Sequence, residues 1–113
     1  MAGEVKAFLE DYDKYMKKAG EISTNEASAF GGMFQKLMKD GALTVKVKEL
    51  IAMGIAVETR CAPCIYLHVK KCLEAGAAPN EIIEAAGVAI MMRGGPAYTQ
   101  LPLVAKAIEE LGA

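Results

Sequence analysis

The sequence lacks tryptophan, contains a single histidine, and has no long apolar stretch. Its longest apolar runs, residues 50–57 and 85–92, are eight residues each. A transmembrane helix needs roughly 20. The first residues are polar and partly acidic, without the apolar core of a secretion signal. We therefore expect a soluble, cytoplasmic protein with no membrane partner.

An excess of basic residues is also missing, since 13 Lys and Arg stand against 14 Asp and Glu. Domains that bind nucleic acids carry a basic face or stripe, so a nucleic-acid partner is not expected. Apolar residues, in contrast, make up 53% of the 113 positions. A small chain keeps much of its surface in water, and this surplus therefore favours a homo-oligomer.

Apolar residues recur at helical spacing along nearly the whole chain, whereas the alternation typical of strands is almost absent. Glycine, proline and capping residues divide this pattern into about six helices. We expect them at about 3–19, from a capping-box pattern at 23–26 to Gly41, at 44–59, from a break near 60–63 to Gly76, and at 78–93 and 97–111. Pro102 should kink the last helix or delay its start. The prediction is an all-α compact bundle forming one domain over residues 1–113.

Three cysteines fall within twelve residues, in the stretch Cys61-Ala-Pro-Cys64-Ile-Tyr-Leu-His68-Val-Lys-Lys-Cys72. Cys64 and His68 are four residues apart and share a helix face, and Cys61 is close enough to Cys64 for a disulfide. A helix N-terminus stabilises a thiolate, and a histidine one turn on can take up and deliver the proton. The pattern indicates thiol–disulfide redox chemistry.

Two other interpretations of these residues stay open. All four side chains can bind metals, but residues 61 and 72 of one continuous helix lie about 16 Å apart, too far to share a zinc ion. A three-ligand site without Cys72 is still allowed. Alternatively, the cysteines and His68 are ordinary core residues. Cys72 has no partner at short spacing, and we expect it to be buried and inert.

Around these residues the sequence resembles the carboxymuconolactone decarboxylase superfamily, and within it the AhpD-like alkylhydroperoxidase branch. The shared pattern is a glutamate, eleven intervening residues and then Cys-x-x-Cys-x-x-x-His, here Glu49, Cys61, Cys64 and His68. The flanking segments 48–52, 73–77 and 81–85 are also similar. The resemblance extends from about residue 44 to residue 93.

The resemblance implies an all-α fold assembled as a homotrimer or homohexamer, and an antioxidant, peroxide- or disulfide-reducing activity without metal or other cofactor. In that activity Cys64 attacks the hydroperoxide and becomes a sulfenic acid, and Cys61 resolves it into a disulfide. His68 and Glu49 form the proton relay. A thioredoxin-like protein or a dihydrolipoyl group then restores the thiols.

The chain also departs from this pattern. Pro63 stands between the cysteines where the AhpD enzyme has a histidine, and the chain is shorter than AhpD, which has two related halves. Lactone decarboxylation is not expected, because that branch lacks the cysteine pair. Glu58 is a second candidate for the relay. The alternative functions are a non-enzymatic redox sensor or interaction protein with a reversible cysteine pair, and a zinc-binding structural protein.

Overall fold

The computed structural model describes residues 3–112, which form helices joined by short turns and include no β-strand. The helices are α1 (Glu4–Ile22), α2 (Thr24–Leu37), α3 (Val45–Glu58), α4 (Ala62–Glu74), α5 (Pro79–Arg93), α6 (Gly95–Tyr98) and α7 (Leu101–Leu111). The predicted all-α fold class is confirmed. No helix within residues 3–112 is long and apolar enough to cross a membrane.

The predicted limits of the first five helices agree with the structure to within a few residues. Thr44 caps α3 as expected, because its hydroxyl accepts a hydrogen bond of 3.2 Å from the backbone N–H of Val47. Ser23 behaves differently. Its hydroxyl donates to the Glu26 carboxylate at 2.6 Å and caps no backbone N–H, so the predicted capping box at 23–26 is wrong.

The prediction of one helix over 97–111 is also wrong. The chain instead forms the single turn α6, breaks at Thr99 and Gln100, and begins α7 at Leu101. Pro102 lies in the first turn of α7, where its missing N–H removes no helical hydrogen bond. Of the two effects expected of Pro102, the structure shows the delayed start.

Helices α3 and α4 occupy the centre of the molecule. α3 packs against α4 and α5, α4 packs against α7, and α1 packs against α7 and α2. The largest fully buried side chains are Met53, Ile65, Ile82, Val5, Val57, Val69, Val104 and Cys72. The two helices that carry the candidate redox residues, α3 and α4, therefore each pack against two other helices.

Helix α2 contributes no buried side chain and packs mainly against α1. Its C-terminal end is held by Lys48, whose ammonium donates to the carbonyl oxygens of Leu37 and Lys39 at 2.9 and 2.7 Å. The ammonium of Lys71 also lies 4.8 Å from the centre of the Phe34 ring. Two lysines on the central helices thus tie α2 to the rest of the molecule.

The N-terminus of α1 is capped from the other end of the chain. The Glu110 carboxylate on α7 accepts hydrogen bonds from the backbone N–H groups of Val5 and Lys6 at 3.0 and 3.2 Å. A Cβ atom at Gly3 would overlap that carboxylate. Glycine at this position therefore makes room for the cap.

We predict that Glu110→Ala lowers the free energy of unfolding by about 1–2 kcal/mol, because two N–H groups of α1 lose their acceptor. Urea denaturation followed by circular dichroism measures the change. Glu109→Ala is the matched control, since Glu109 is exposed on the next position of α7, and we expect a change below about 0.5 kcal/mol there. Equal losses in the two variants would contradict the proposed cap.

Candidate active site

The cysteine pair begins at the turn between α3 and α4. The N–H of Arg60 donates to the carbonyl of Val57, and the N–H of Cys61 donates to the carbonyl of Ala56, both at 3.1 Å. These two bonds form a Schellman motif. Arg60 occupies the left-handed position with φ +55°, which costs a residue other than glycine roughly 1 kcal/mol. The motif fixes the backbone of Cys61 against the last turn of α3.

Cys61 and Cys64 are joined by a disulfide, and their Cα atoms are 5.2 Å apart. Cys61 is the N-cap residue of α4, and its sulfur accepts a hydrogen bond of 3.2 Å from the backbone N–H of Cys64. Pro63 lies in the first turn, where its missing N–H has no helical partner to lose. The Cys61 sulfur therefore lies at the positive end of α4, where a negative charge is stabilised.

One turn after Cys64, His68 contacts Glu49 of the neighbouring helix α3. The imidazole Nδ1 and the carboxylate Oε1 are 2.7 Å apart, with 21% of the His68 side chain and 3% of the Glu49 side chain exposed. Glu49 is the one charged residue that is fully buried within residues 3–112. A buried carboxylate is costly unless it is hydrogen-bonded. With Nδ1 engaged, Nε2 is the ring nitrogen left to exchange a proton.

Cys72 follows one turn after His68 on α4, and its side chain is completely buried. Burial raises the pKa of the Cys72 thiol to about 12, and the negative charge of Glu49 adds to this effect. At neutral pH the side chain is therefore a protonated thiol packed in the core. The sequence predicted that Cys72 is buried, which the structure confirms, but it gave no sign of the closeness to Glu49.

Glu58, the second relay candidate, does not contact His68. Its carboxylate lies 3.5 Å from the Nη1 atom of Arg93 on α5, and the carboxylate that contacts His68 is that of Glu49. The structure gives no support to the three-ligand metal site either. Within residues 3–112, no group of three or more His, Cys, Asp or Glu side chains is placed to hold a metal ion.

Comparison with known proteins gives a consistent result. The model of the carboxymuconolactone decarboxylase family matches residues 24–107. An uncharacterised protein of Cupriavidus necator is 31% identical over 96 residues, which cover 85% of this chain and 85% of that protein.

Two solved structures are also similar. The protein lpg0406 of Legionella pneumophila, a carboxymuconolactone decarboxylase family protein, has a TM-score of 0.93 and 31% identity over 97% of this chain and 98% of that one. TM1620 of Thermotoga maritima, a protein of the same family proposed to take part in an antioxidative response, has a TM-score of 0.70 and 30% identity. That match covers 76% of this chain and 89% of the other.

We predict that a thiol reagent at pH 8 modifies two cysteines of the reduced native protein quickly and the third only after denaturation. A thiol with a pKa of about 12 has on the order of one thiolate in 10,000 molecules at that pH. Cys72→Ser should leave the fast phase unchanged. Three thiols reacting at similar rates in the native protein would show that Cys72 is accessible.

A second prediction concerns the stability of the Glu49–His68 pair. His68→Ala should lower the free energy of unfolding by about 3 kcal/mol, because the buried Glu49 carboxylate loses its partner. Adding Glu49→Gln to that variant should restore more than half of the loss, since no charge is then left buried. Thermal and urea unfolding of both variants measure this, with the exposed Glu74→Ala on α4 as control. A double variant less stable than His68→Ala would contradict the prediction.

Proposed function

Since the chain belongs to the carboxymuconolactone decarboxylase family, we propose that it is a thiol-dependent oxidoreductase that reduces hydroperoxides or disulfides through Cys61 and Cys64. One observation carries the proposal. The disulfide lies at the N-terminus of α4, one turn before a histidine that is hydrogen-bonded to a buried carboxylate. The antioxidative response proposed for the Thermotoga maritima relative is consistent with it.

In the first step of the proposed reaction, the thiolate of Cys64 attacks the outer oxygen of the hydroperoxide. The O–O bond breaks, and the alkoxide leaves with a proton from the His68 imidazolium. The products are an alcohol and a sulfenic acid on Cys64. The spacing of four residues on α4, which places the thiol and the imidazole on one face, supports this assignment.

In the second step, His68, which is neutral after the first step, takes up the proton of the Cys61 thiol, and the Cys61 thiolate attacks the sulfur of the sulfenic acid. A disulfide forms, and the hydroxyl group leaves as water with the proton that His68 has just taken up. The hydrogen bond from the N–H of Cys64 to the sulfur of Cys61 supports this role. It favours the thiolate form of Cys61 at the moment when that sulfur must act as a nucleophile.

Glu49 acts on these steps through His68. Its carboxylate orients the imidazole and balances the positive charge that the ring carries after it takes the proton of Cys64. Because Glu49 is buried, this charge interaction is only weakly screened by salt. Glu49 is therefore a positioning residue in the proposed mechanism, whereas Cys61, Cys64 and His68 exchange protons or electrons with the substrate.

An external dithiol completes the cycle. One of its thiolates attacks the Cys61–Cys64 disulfide to form a mixed disulfide, and its second thiol releases the reduced protein. A dihydrolipoyl group or a thioredoxin-like protein has the required pair of thiols. Both cysteines are only half-buried, so the disulfide is accessible to such a donor. A disulfide substrate would be reduced by the reverse exchange, in which a thiolate of the reduced cysteine pair attacks the disulfide of the substrate.

The experiment is a stopped-flow reaction of the reduced protein with hydrogen peroxide and with an organic hydroperoxide, followed by a thiol count. We expect rapid loss of two thiols for each peroxide consumed. Cys64→Ser should abolish the reaction, and Cys61→Ser should stop it at a sulfenic acid, detected by mass spectrometry. Cys72→Ser is the matched control and should react normally. Glu49→Gln should lower the rate by about 100-fold or more and change its pH profile.

Oxidation at the rate of an ordinary free thiol would overturn the peroxidase proposal. In that case, rapid exchange of the cysteine pair with a small disulfide would assign the protein as a disulfide reductase. Slow reaction with both hydroperoxides and disulfides would favour a redox sensor, in which the cysteine pair is oxidised reversibly without catalytic turnover. Loss of activity in Cys61→Ser with no trapped sulfenic acid would exchange the roles of the two cysteines.

A further inference from the structure

Arg60, the residue directly before Cys61, has a backbone conformation that suits glycine better. Within residues 3–112 it is the one residue other than glycine with a positive φ, +55°. It stands at the position after a helix end where a Schellman motif usually has glycine, and glycine would avoid the steric cost of the left-handed region. Because strained residues of this kind collect at functional sites, the conformation points to a use for the Arg60 side chain.

The described contacts give the Arg60 guanidinium no partner. The residue is exposed, and none of the ion pairs within residues 3–112 includes it. Glu58, the carboxylate nearest to it in sequence, lies beside Arg93 instead. An arginine stays charged at every pH at which proteins are folded. The positive charge of Arg60 is therefore available to a molecule from outside.

This charge lies within reach of a substrate at the cysteine pair. The Cα atoms of Cys61 and Cys64 are 5.2 Å apart, and consecutive Cα atoms are separated by about 3.8 Å. The Cα atom of Arg60 is therefore within about 9 Å of that of Cys64, and an extended arginine side chain spans roughly 6–7 Å. A negative group within roughly 10 Å of the reacting bond of a substrate can meet the guanidinium.

The first turn of α4 is poorly equipped to bind such a group in place of Arg60. Pro63 has no N–H, and the N–H of Cys64 already donates to the Cys61 sulfur at 3.2 Å. The N–H of Ile65 donates to the Cys61 carbonyl at 2.9 Å. Most of the donors that a helix N-terminus offers to an anion are thus absent or engaged. The Arg60 guanidinium is left as the main site of recognition.

A single guanidinium matches a carboxylate in both charge and shape. Its planar N–H groups can donate two parallel hydrogen bonds to the two carboxylate oxygens. A phosphate monoester carries close to two negative charges, whereas Arg60 is the one cation in residues 59–63. Building on the proposed function, we propose that Arg60 selects hydroperoxide or disulfide substrates that carry a carboxylate close to the reacting bond.

The test compares two hydroperoxides, cumene hydroperoxide with a carboxylate in the para position and the methyl ester of the same compound. Stopped-flow reaction of each with the reduced full chain at pH 7 gives two rate constants. Their acid-to-ester ratio is the readout, because a change in the general reactivity of the cysteines alters both rates alike. Arg60→Gly should lower this ratio about 5-fold, which is the upper range for an exposed ion pair.

Two further variants separate the guanidinium from charge in general. Arg60→Lys keeps the charge but loses the paired N–H groups, and it should retain part of the preference. Lys6→Ala is the matched control, since it removes an equal charge from an exposed position on α1, and it should keep the wild-type ratio. Added salt should lower the wild-type ratio towards that of Arg60→Gly, because salt screens exposed charges.

A pair of disulfides, dithiodipropionate and its dimethyl ester, provides a second arm that needs no peroxidase activity. Any accessible thiolate exchanges with a disulfide, so this arm decides the role of Arg60 even if both hydroperoxides react slowly and the peroxidase proposal fails. We expect the same change of about 5-fold in the acid-to-ester ratio for Arg60→Gly.

An acid-to-ester ratio that is equal in the wild type and Arg60→Gly for both classes of substrate would overturn the proposal, while rapid reaction with either class would leave the proposed function intact. A ratio lowered equally by Lys6→Ala would also overturn it, since only net charge would then matter. Arg60→Gly should be at least as stable to urea as the wild type, because glycine tolerates a positive φ. A less stable variant would show that Arg60 is kept for folding, against the proposal.

Discussion

The structure depends above all on the hydrogen bond between the buried Glu49 carboxylate on α3 and the His68 imidazole on α4. A carboxylate that is 3% exposed needs a partner, and the adjoining helix α4 supplies it in His68. The pair therefore links the two central helices across their interface. The redox site is also part of the core packing. Helix α4, which carries His68, buries Ile65, Val69 and Cys72 completely.

Local signals in the sequence were enough to predict most of the helices. Thr44 and Pro79 mark helix starts that the structure shows, because capping and proline preferences act within one turn of the chain. The prediction failed where two local choices compete. Ser23 can bond either to the backbone or to the Glu26 side chain, and the segment around Pro96 and Pro102 can form one kinked helix or two separate ones. In the second case packing favours two helices, since Ala97 and Val104 are both fully buried, whereas Ser23 and Glu26 are exposed.

The candidate site was predictable in a similar, partial way. Spacing alone placed Cys61, Cys64 and His68 along one helix, because these residues lie within eight positions of one another. The contact of Glu49 with His68 was expected only from the family resemblance, since the spacing of residues on two helices does not give the angle between them. The same limit explains why Glu58 stayed open as a second candidate behind Glu49 until the structure placed it beside Arg93. It also explains why the effect of Glu49 on the pKa of Cys72 was not foreseen.

Cys61 belongs to two structural units at once, because its backbone closes the end of α3 and its sulfur caps the start of α4. A sulfur with a full negative charge accepts a hydrogen bond more strongly than a disulfide sulfur does. Reduction of the pair should therefore tighten the first turn of α4, and fraying of that turn should disfavour the thiolate. The two equilibria are therefore linked: a change that stabilises the first turn of α4 also favours reduction of the disulfide, by the same free energy. A reductant that binds and orders the first turn of α4 would therefore make its own reduction of the disulfide more favourable.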